Sequence, residues 1–457
     1  MAIVGTVALA VVVVACSGED GAADRPDAGD PTPQATIDGP ALRTAGSQLL
    51  SPAGTLSARP VLPTEPTEAW VAPLTGSAQA VRLDDDVVVV VDGGLDSSDV
   101  VALDPTTGAE RWRSPLPDQG FFSGLHVLDD VVLATGSARP EGAEQSTGVV
   151  TAFDVSDGSV RWERPLVGFD AQAAPTPGGL VLLGPAESGA VPAATDVAVV
   201  DPATGEDRWS RRFEDNPIGD GAGIGVGDRH VYVSDGTTLE SLDTASGTPG
   251  WSVDSPLVGA MTEVGDVVVV GAFADVPDLV GLAIADGAER WRSPVLATEA
   301  LAYSVATLDD TLVAVTYDAG TTGVVAVDTT TGEAVWDSGG RGVAAGLVGD
   351  GPTQVVTTDF ADGGTAVDVA VVTLPGGAVT ASTRVEGDGQ LLVADGAVAS
   401  VSNERVAAWS LTADGGAPLW EVPLDDGSGV PVFGPTPTEA GDDTLVVGHG
   451  ATLRRLG

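Results

Sequence analysis

The sequence predicts an all-β propeller built from four-stranded antiparallel blades, and three observations carry that expectation. A phrase first met at residues 100–117, VVALDPTTGAERWRSPLP, returns along the chain. Tryptophans set its period: Trp112, Trp162, Trp209, Trp251, Trp291 and Trp336 are 50, 47, 42, 40 and 45 residues apart, and Trp420 follows after two further steps of 42. Between the phrases run short Val-rich segments bounded by Gly and Asp, which read as strands and tight turns. Past the first 20 residues no stretch shows the 3.6-residue period of a helix.

The chain opens on an uncharged apolar run, MAIVGTVALAVVVVA, too short to span a bilayer comfortably and suited to a signal-peptide core. It ends in VVAC followed by SGED, which resembles a bacterial lipobox and makes Cys16 the expected lipidation site. No Lys or Arg precedes the run, which points to a start codon further upstream. The competing reading of the run is a buried N-terminal strand. Cys16 is the only cysteine, so no disulfide framework is expected. From Ser17 the chain is rich in Pro, Gly, Ala, Asp and Thr and lacks the apolar surface needed to fold. The expected organisation is a signal segment over 1–16, a tether over 17–66 and a propeller over 67–457.

Within the repeat, an alternating segment such as VVALD is a half-buried strand with its side chains on opposite faces. A turn follows: Asp104 to Gly108, Asp201 to Gly205, Asp328 to Gly332. Asp accepts hydrogen bonds from the N–H groups just ahead of it, and Gly supplies positive φ without steric cost. A second strand carries the Trp and ends at a Pro, which cannot donate to a ladder. Upstream of each phrase lie two more strand-like runs, such as DDVVLATG and GDVVVVGAF, making four strands per unit. One copy, VAVVTLPGGAVTASTRV from Val369, has lost its Trp. The C-terminal DDTLVVGHGATLRRLG lacks a Trp strand, and EAWVAPL around Trp70 supplies one, so an N-terminal strand is expected to close the ring. Counting that composite unit gives nine.

The strand–D-x-x-T/S-G–x-x-x-W unit resembles the tryptophan-docking repeat of the PQQ-like β-propellers, which include quinoprotein alcohol dehydrogenases and the BamB lipoprotein. The resemblance covers roughly residues 67–457. It implies eight blades, against the nine counted, and it implies that Trp70, Trp112, Trp162, Trp209, Trp251, Trp291, Trp336 and Trp420 each pack across to a neighbouring blade. It would also imply PQQ and Ca²⁺ for the enzymes of the group. Their bridged cysteine pair is impossible here, and a cofactor with several carboxylates wants cations that this chain scarcely has. Neither cofactor is therefore expected.

Sixty-six acidic against 20 basic residues give a net charge of −46, and no Lys is present. Such a chain repels phosphates, so nucleic acid is excluded as a partner. The acidity suits a solvated coat, salt tolerance or cation capture. His126, His230 and His449 lie far apart and read as surface or turn residues. No G-x-S-x-G motif appears. Acidic pairs such as Asp129-Asp130 and Asp309-Asp310 read as hairpin turns, and DGGLDSSD at Asp92–Asp99 as a turn rather than a Ca²⁺ loop. The expectation is a lipid-anchored extracytoplasmic propeller that binds a protein or glycan partner without catalysis. The alternatives are a quinoprotein relic, or a hydrolase or lyase using channel-facing carboxylates.

Overall fold

The computed structural model describes residues 65–457 apart from connecting stretches, the longer of which are 140–146, 167–171, 186–193, 215–223, 295–300, 348–353, 413–417, 425–431 and 435–444. The expected signal segment, Cys16 and nearly all of the expected tether lie outside the described residues. Those described form nine sheets of four antiparallel strands. Blades 1 to 8 use consecutive strands over 77–115, 119–166, 172–214, 224–254, 257–293, 301–337, 343–386 and 390–423. Blade 9 combines three strands from 432–456 with Glu68–Pro73.

The blade number is therefore nine, and the eight implied by family resemblance is not what this chain adopts. The copy near Val369 is a full blade (343–386) despite its missing Trp. Its alternation survives, and alternation is what a strand needs.

The first strand of each blade packs against first strands of neighbouring blades, as Ser77–Leu83 does against Gln119–Leu128. First strands thus line the axis and fourth strands form the rim. The two middle strands are buried on both faces, which is why Val88–Gly93 reads VVVVDG with every residue buried. Period-two alternation divides these valines between two seams. Val88 and Val90 meet Trp70 and Leu453 of blade 9, whereas Val89 and Val91 meet Trp112, Phe122 and Val132.

Each rim strand carries a β-bulge at one position, the residue before the Trp site. The bulged residues are Ala69, Arg111, Arg161, Arg208, Gly250, Arg290, Val335, Thr380 and Leu419. A bulge twists the strand and spoils its outer edge as a pairing template. In four blades the bulged residue is also a cation.

Closure is by strand addition. Glu68–Pro73 pairs with Thr452–Leu456, and Thr67 and Gly457 exchange backbone hydrogen bonds of 2.9 and 3.0 Å. Both ends of the propeller therefore meet on the face that carries the repeated turns. The connections between second and third strands, and from blade to blade, lie on the opposite face.

Candidate functional site

The repeated turn is built as the residue types require. Asp104 Oδ1 accepts hydrogen bonds from the Thr106 and Thr107 amides (3.1 and 2.9 Å) and from the Thr107 hydroxyl (2.9 Å). The same closed turn forms at Asp201 and Asp328. Gly108, Gly205 and Gly332 have φ of 68°, 68° and 75°. A Cβ at any of them would also fall 2.6 Å from a tryptophan ring of the preceding blade: Trp70, Trp162 and Trp291 respectively. Each glycine thus answers two demands, a left-handed backbone and a seat for the indole.

The indole then bonds to the turn it sits on. Trp70, Trp112, Trp162, Trp209, Trp251 and Trp291 donate through Nε1 to the carbonyls of Pro105, Val155, Pro202, Thr244, Ile284 and Thr329 at 2.6–2.9 Å. Trp336 sits over Gly377 with its Cδ1 and Nε1 edge nearest, a turned orientation. Trp420 packs in the seam between blades 8 and 9 beside Leu424, Leu445 and Val447.

The arginine at the bulge ties the turn aspartate from the side. Arg111 bonds Asp104 (2.9 Å), Arg161 bonds Asp154 (2.7 Å) and Asp130 (2.6 Å), and Arg208 bonds Asp201 (3.1 Å). Arg111 and the Thr107 donors hold the Asp104 carboxyl down at about 2. The Asp154 carboxyl is held low by Ser156 and Arg161, and Asp201 chiefly by Arg208. Asp328 is lowered by Thr330 and its neighbours. These carboxylates are engaged by their own chain rather than presented to a ligand.

Two structural groups escape a reading of the sequence. Trp409 is one. Blade 7 has Ala381 at the Trp site, and Trp409, 4% exposed on the third strand of blade 8, packs with Val369, Val371, Val385 and Ala381 from the opposite direction. The seam is completed by the Ser382 amide bonded to the Thr412 carbonyl at 2.9 Å. The other is Asp92. Its carboxylate, fully buried, accepts from the Thr75 amide and hydroxyl, the Gly76 amide and Arg113. Burial pushes this carboxyl up, but Arg113 and the Thr75 and Gly76 donors outweigh it and leave it below its ordinary value. Thr75 and Gly76 join the closing strand to blade 1, so Asp92 fastens the ring at its junction. Within DGGLDSSD, Asp92 and Gly93 end one strand, Ser98 and Asp99 open the strand paired with it, and residues 94–96 lie outside the described residues.

The histidines need correction. His449 is 2% exposed in the strand Leu445–His449, and His230 opens the strand His230–Ser234; neither is a turn residue. His126 lies within the axial strand Gln119–Leu128. Strands whose two faces are both covered by neighbouring blades have room for buried polar side chains that hydropathy does not foresee.

The axial strands are the place for a cofactor in the central channel. Their sequences contain no Lys and a single Arg, Arg82, with Glu263 and Asp309 as their acids. Ten other arginines lie on rim strands, whereas Arg139, Arg405, Arg454 and Arg455 lie on middle strands. Among the described residues no group of three or more His, Cys, Asp or Glu side chains is arranged to hold a metal ion. The axial residue types therefore do not fit PQQ with Ca²⁺.

These features define a closed, tryptophan-docked propeller whose repeated residues are used in joining blade to blade. Two stretches, 54–191 and 193–339, match the family model described as outer membrane protein assembly factor BamB. The match covers more than half of the chain, which therefore belongs to this PQQ-like propeller family. The crystal structure of BamB from Moraxella catarrhalis is 19% identical, covering 76% of this chain and 95% of that one, with a TM-score of 0.47. A eukaryotic initiation factor is 11% identical over 78% and 90%, TM-score 0.53. The quinohemoprotein alcohol dehydrogenase ADHIIG from Pseudomonas putida HK5 is 12% identical over 92% and 82%, TM-score 0.46. At these identities the likeness is one of fold. A search of curated proteins finds no match.

Proposed function

We propose that the protein is a lipid-anchored, extracytoplasmic propeller that acts as a non-catalytic binding or scaffolding module for a protein or glycan partner. The observation that carries this reading is the use of the repeated residues. The turn aspartates, glycines and tryptophans close turns and join seams, and the turn carboxylates are saturated by the chain's own donors. The family's description as an assembly factor supports a scaffolding role in the cell envelope. The chain enters the propeller at Thr67 on the turn face, beside Gly457. A tether anchored at Cys16 would leave from that face, so the opposite face is assigned to the partner.

Two measurements test the reading. Thermal unfolding of the full-length chain is followed with PQQ plus Ca²⁺ and with Ca²⁺ alone; ligand bound to the native state raises the midpoint by mass action. No shift is expected. A shift needing both ligands would revive the quinoprotein enzyme, and one with Ca²⁺ alone would make the acidic turns metal sites. Palmitate labelling in a bacterial host should tag the wild type and be lost in Cys16→Ala. Labelling that survives the substitution removes the anchor from the proposal.

A further inference from the structure

Among the described residues the closing strand Glu68–Pro73 is the first element of the chain, so a pull on the N-terminus reaches it before any other strand. It is an edge strand with one neighbour, Thr452–Leu456, and it is tied at both ends. At the turn face Thr67 and Gly457 exchange backbone hydrogen bonds, and Glu68 meets Arg454 at 3.0 Å. Trp70 is wedged into the 9/1 seam with its Nε1 on the Pro105 carbonyl at 2.9 Å. At the opposite face the Leu74 amide reaches the Ala451 carbonyl at 2.8 Å. Immediately beyond, Thr75 and Gly76 are gripped by the buried Asp92, before Ser77 opens the axial strand of blade 1.

We infer that this junction is a two-stage, directional stop against tension: the closing strand resists a pull along its own axis and yields to one that parts Thr67 from Gly457. The inference rests on the faces proposed above, since a tether leaving at Thr67 and a partner on the opposite face load the junction in its strong direction. Along the axis, the five paired residues and the Trp70 wedge must slide together, so bonds that are modest singly are strained in parallel. Parting Thr67 from Gly457 loads the same pairs one after another from one end. Asp92 supplies the second stage. It grips the chain beyond the strand, so it bears the pull only once Thr67–Leu74 has come free. It then stands between the pull and blade 1. Its hold is firm because it sits on Val88–Gly93, a strand paired on both sides, and because Arg113 bonds the same carboxylate at 2.7 Å.

The test is single-molecule pulling on the full-length chain in a Cys16→Ala background, because forced rupture reads the barrier to unfolding. One handle is at the N-terminus. The other is either at the C-terminus or at Ala451→Cys, an exposed turn position at the far end of the junction. Pulled against position 451, the strand is sheared, and the first rupture should need several-fold more force than when pulled against the C-terminus. Its length gain should match Thr67–Leu74 at about 3.4 Å per residue, and a second rupture should precede the unravelling of blade 1. Trp70→Phe should lower the first force and leave the second. Asp92→Asn should lower the second far more than the first. Equal first forces in the two directions, or an Asp92→Asn effect confined to the first rupture, overturns the inference. The handles replace the anchor, so these outcomes do not depend on lipidation: loss of the Cys16 labelling result would withdraw the tether and leave the force ratio to decide the junction.

Discussion

Six consecutive seams, from blades 9/1 round to 5/6, share one bond, an indole N–H donated to the carbonyl of the next blade's turn. The three remaining seams are each made differently. Trp336 lies turned over Gly377, Trp409 fills the 7/8 seam from the opposite side, and Trp420 faces a blade with no covalent turn, where the two ends of the propeller, Thr67 and Gly457, meet. The family match stops at 339, just beyond the rim strand Ala334–Asp337 of blade 6. The uniform arc and the family pattern therefore cover nearly the same residues. The lesson of the contrast is that a seam needs a filled volume and satisfied polar groups, while the residue that fills it can come from either side.

The largest effects should come from emptying seams in both arcs. Trp291→Ala should cost about 3–5 kcal/mol as a large-to-small change in a packed seam, read by urea unfolding, and Trp162→Ala should fall in the same range or just below it. Trp409→Ala should match Trp291→Ala despite its different origin; a cost under about 1 kcal/mol would break the claim that it replaces the missing wedge. Asp92→Asn should also cost about 3–5 kcal/mol, because it strips a buried ion pair of one partner. That loss should appear as early exchange of the closing strand Glu68–Pro73 amides.

A double-mutant cycle sharpens the comparison at intermediate size. Ala381→Trp alone should overpack the 7/8 seam and cost about 1–3 kcal/mol. In the Trp409→Ala background the same change should restore stability, giving a coupling of opposite sign. Additivity of the two changes would mean that the two side chains do not compete for one volume.

The glycines separate strain from contact. Gly396→Ala meets nothing within 4 Å at φ +66° and should cost about 1 kcal/mol for the left-handed backbone alone. Gly205→Ala, at φ +68° with Trp162 at 2.6 Å, should cost clearly more, roughly 2–4 kcal/mol. Equal costs would show that the indole yields without penalty.

Acid should act most gently, and on the turns. A carboxyl lowered in the folded state contributes stability above its unfolded value and loses it as pH falls through the folded value. For Asp104, held at about 2 by Arg111 and Thr107, the loss runs from near pH 4 down toward 2. Unfolding midpoints between pH 6 and 2.5 should fall slightly less steeply in Asp104→Asn than in the wild type. Identical slopes would mean that the exposed turn contributes nothing to acid sensitivity.

Much of this was legible because it is local or periodic. The turn chemistry of Asp104 and Gly108 is contained in five residues, and the tryptophan period counts the blades even where one copy has lost its Trp. Ring closure was legible from two incomplete units at opposite ends of the chain. Trp409 was not, because no local signal separates a wedge from a core residue on a middle strand. The role of Asp92 was not legible either, because its donors, Thr75, Gly76 and Arg113, are brought to it by closure and by the fourth strand of its blade.

The sequence by itself determined the all-β class and the four-strand unit, since hydrophobic alternation and turn residues act over a few neighbours and repeat at a fixed period; between nine blades by unit count and eight by resemblance, the tertiary structure decided. Only the tertiary structure decided which side chain fills each seam, where the buried His449 and the fully buried Asp92 find their surroundings, and whether an arginine reaches each turn aspartate. Those outcomes depend on volumes and donors supplied by residues some 30 to 40 positions away in the chain or, at the closing junction, at its other end.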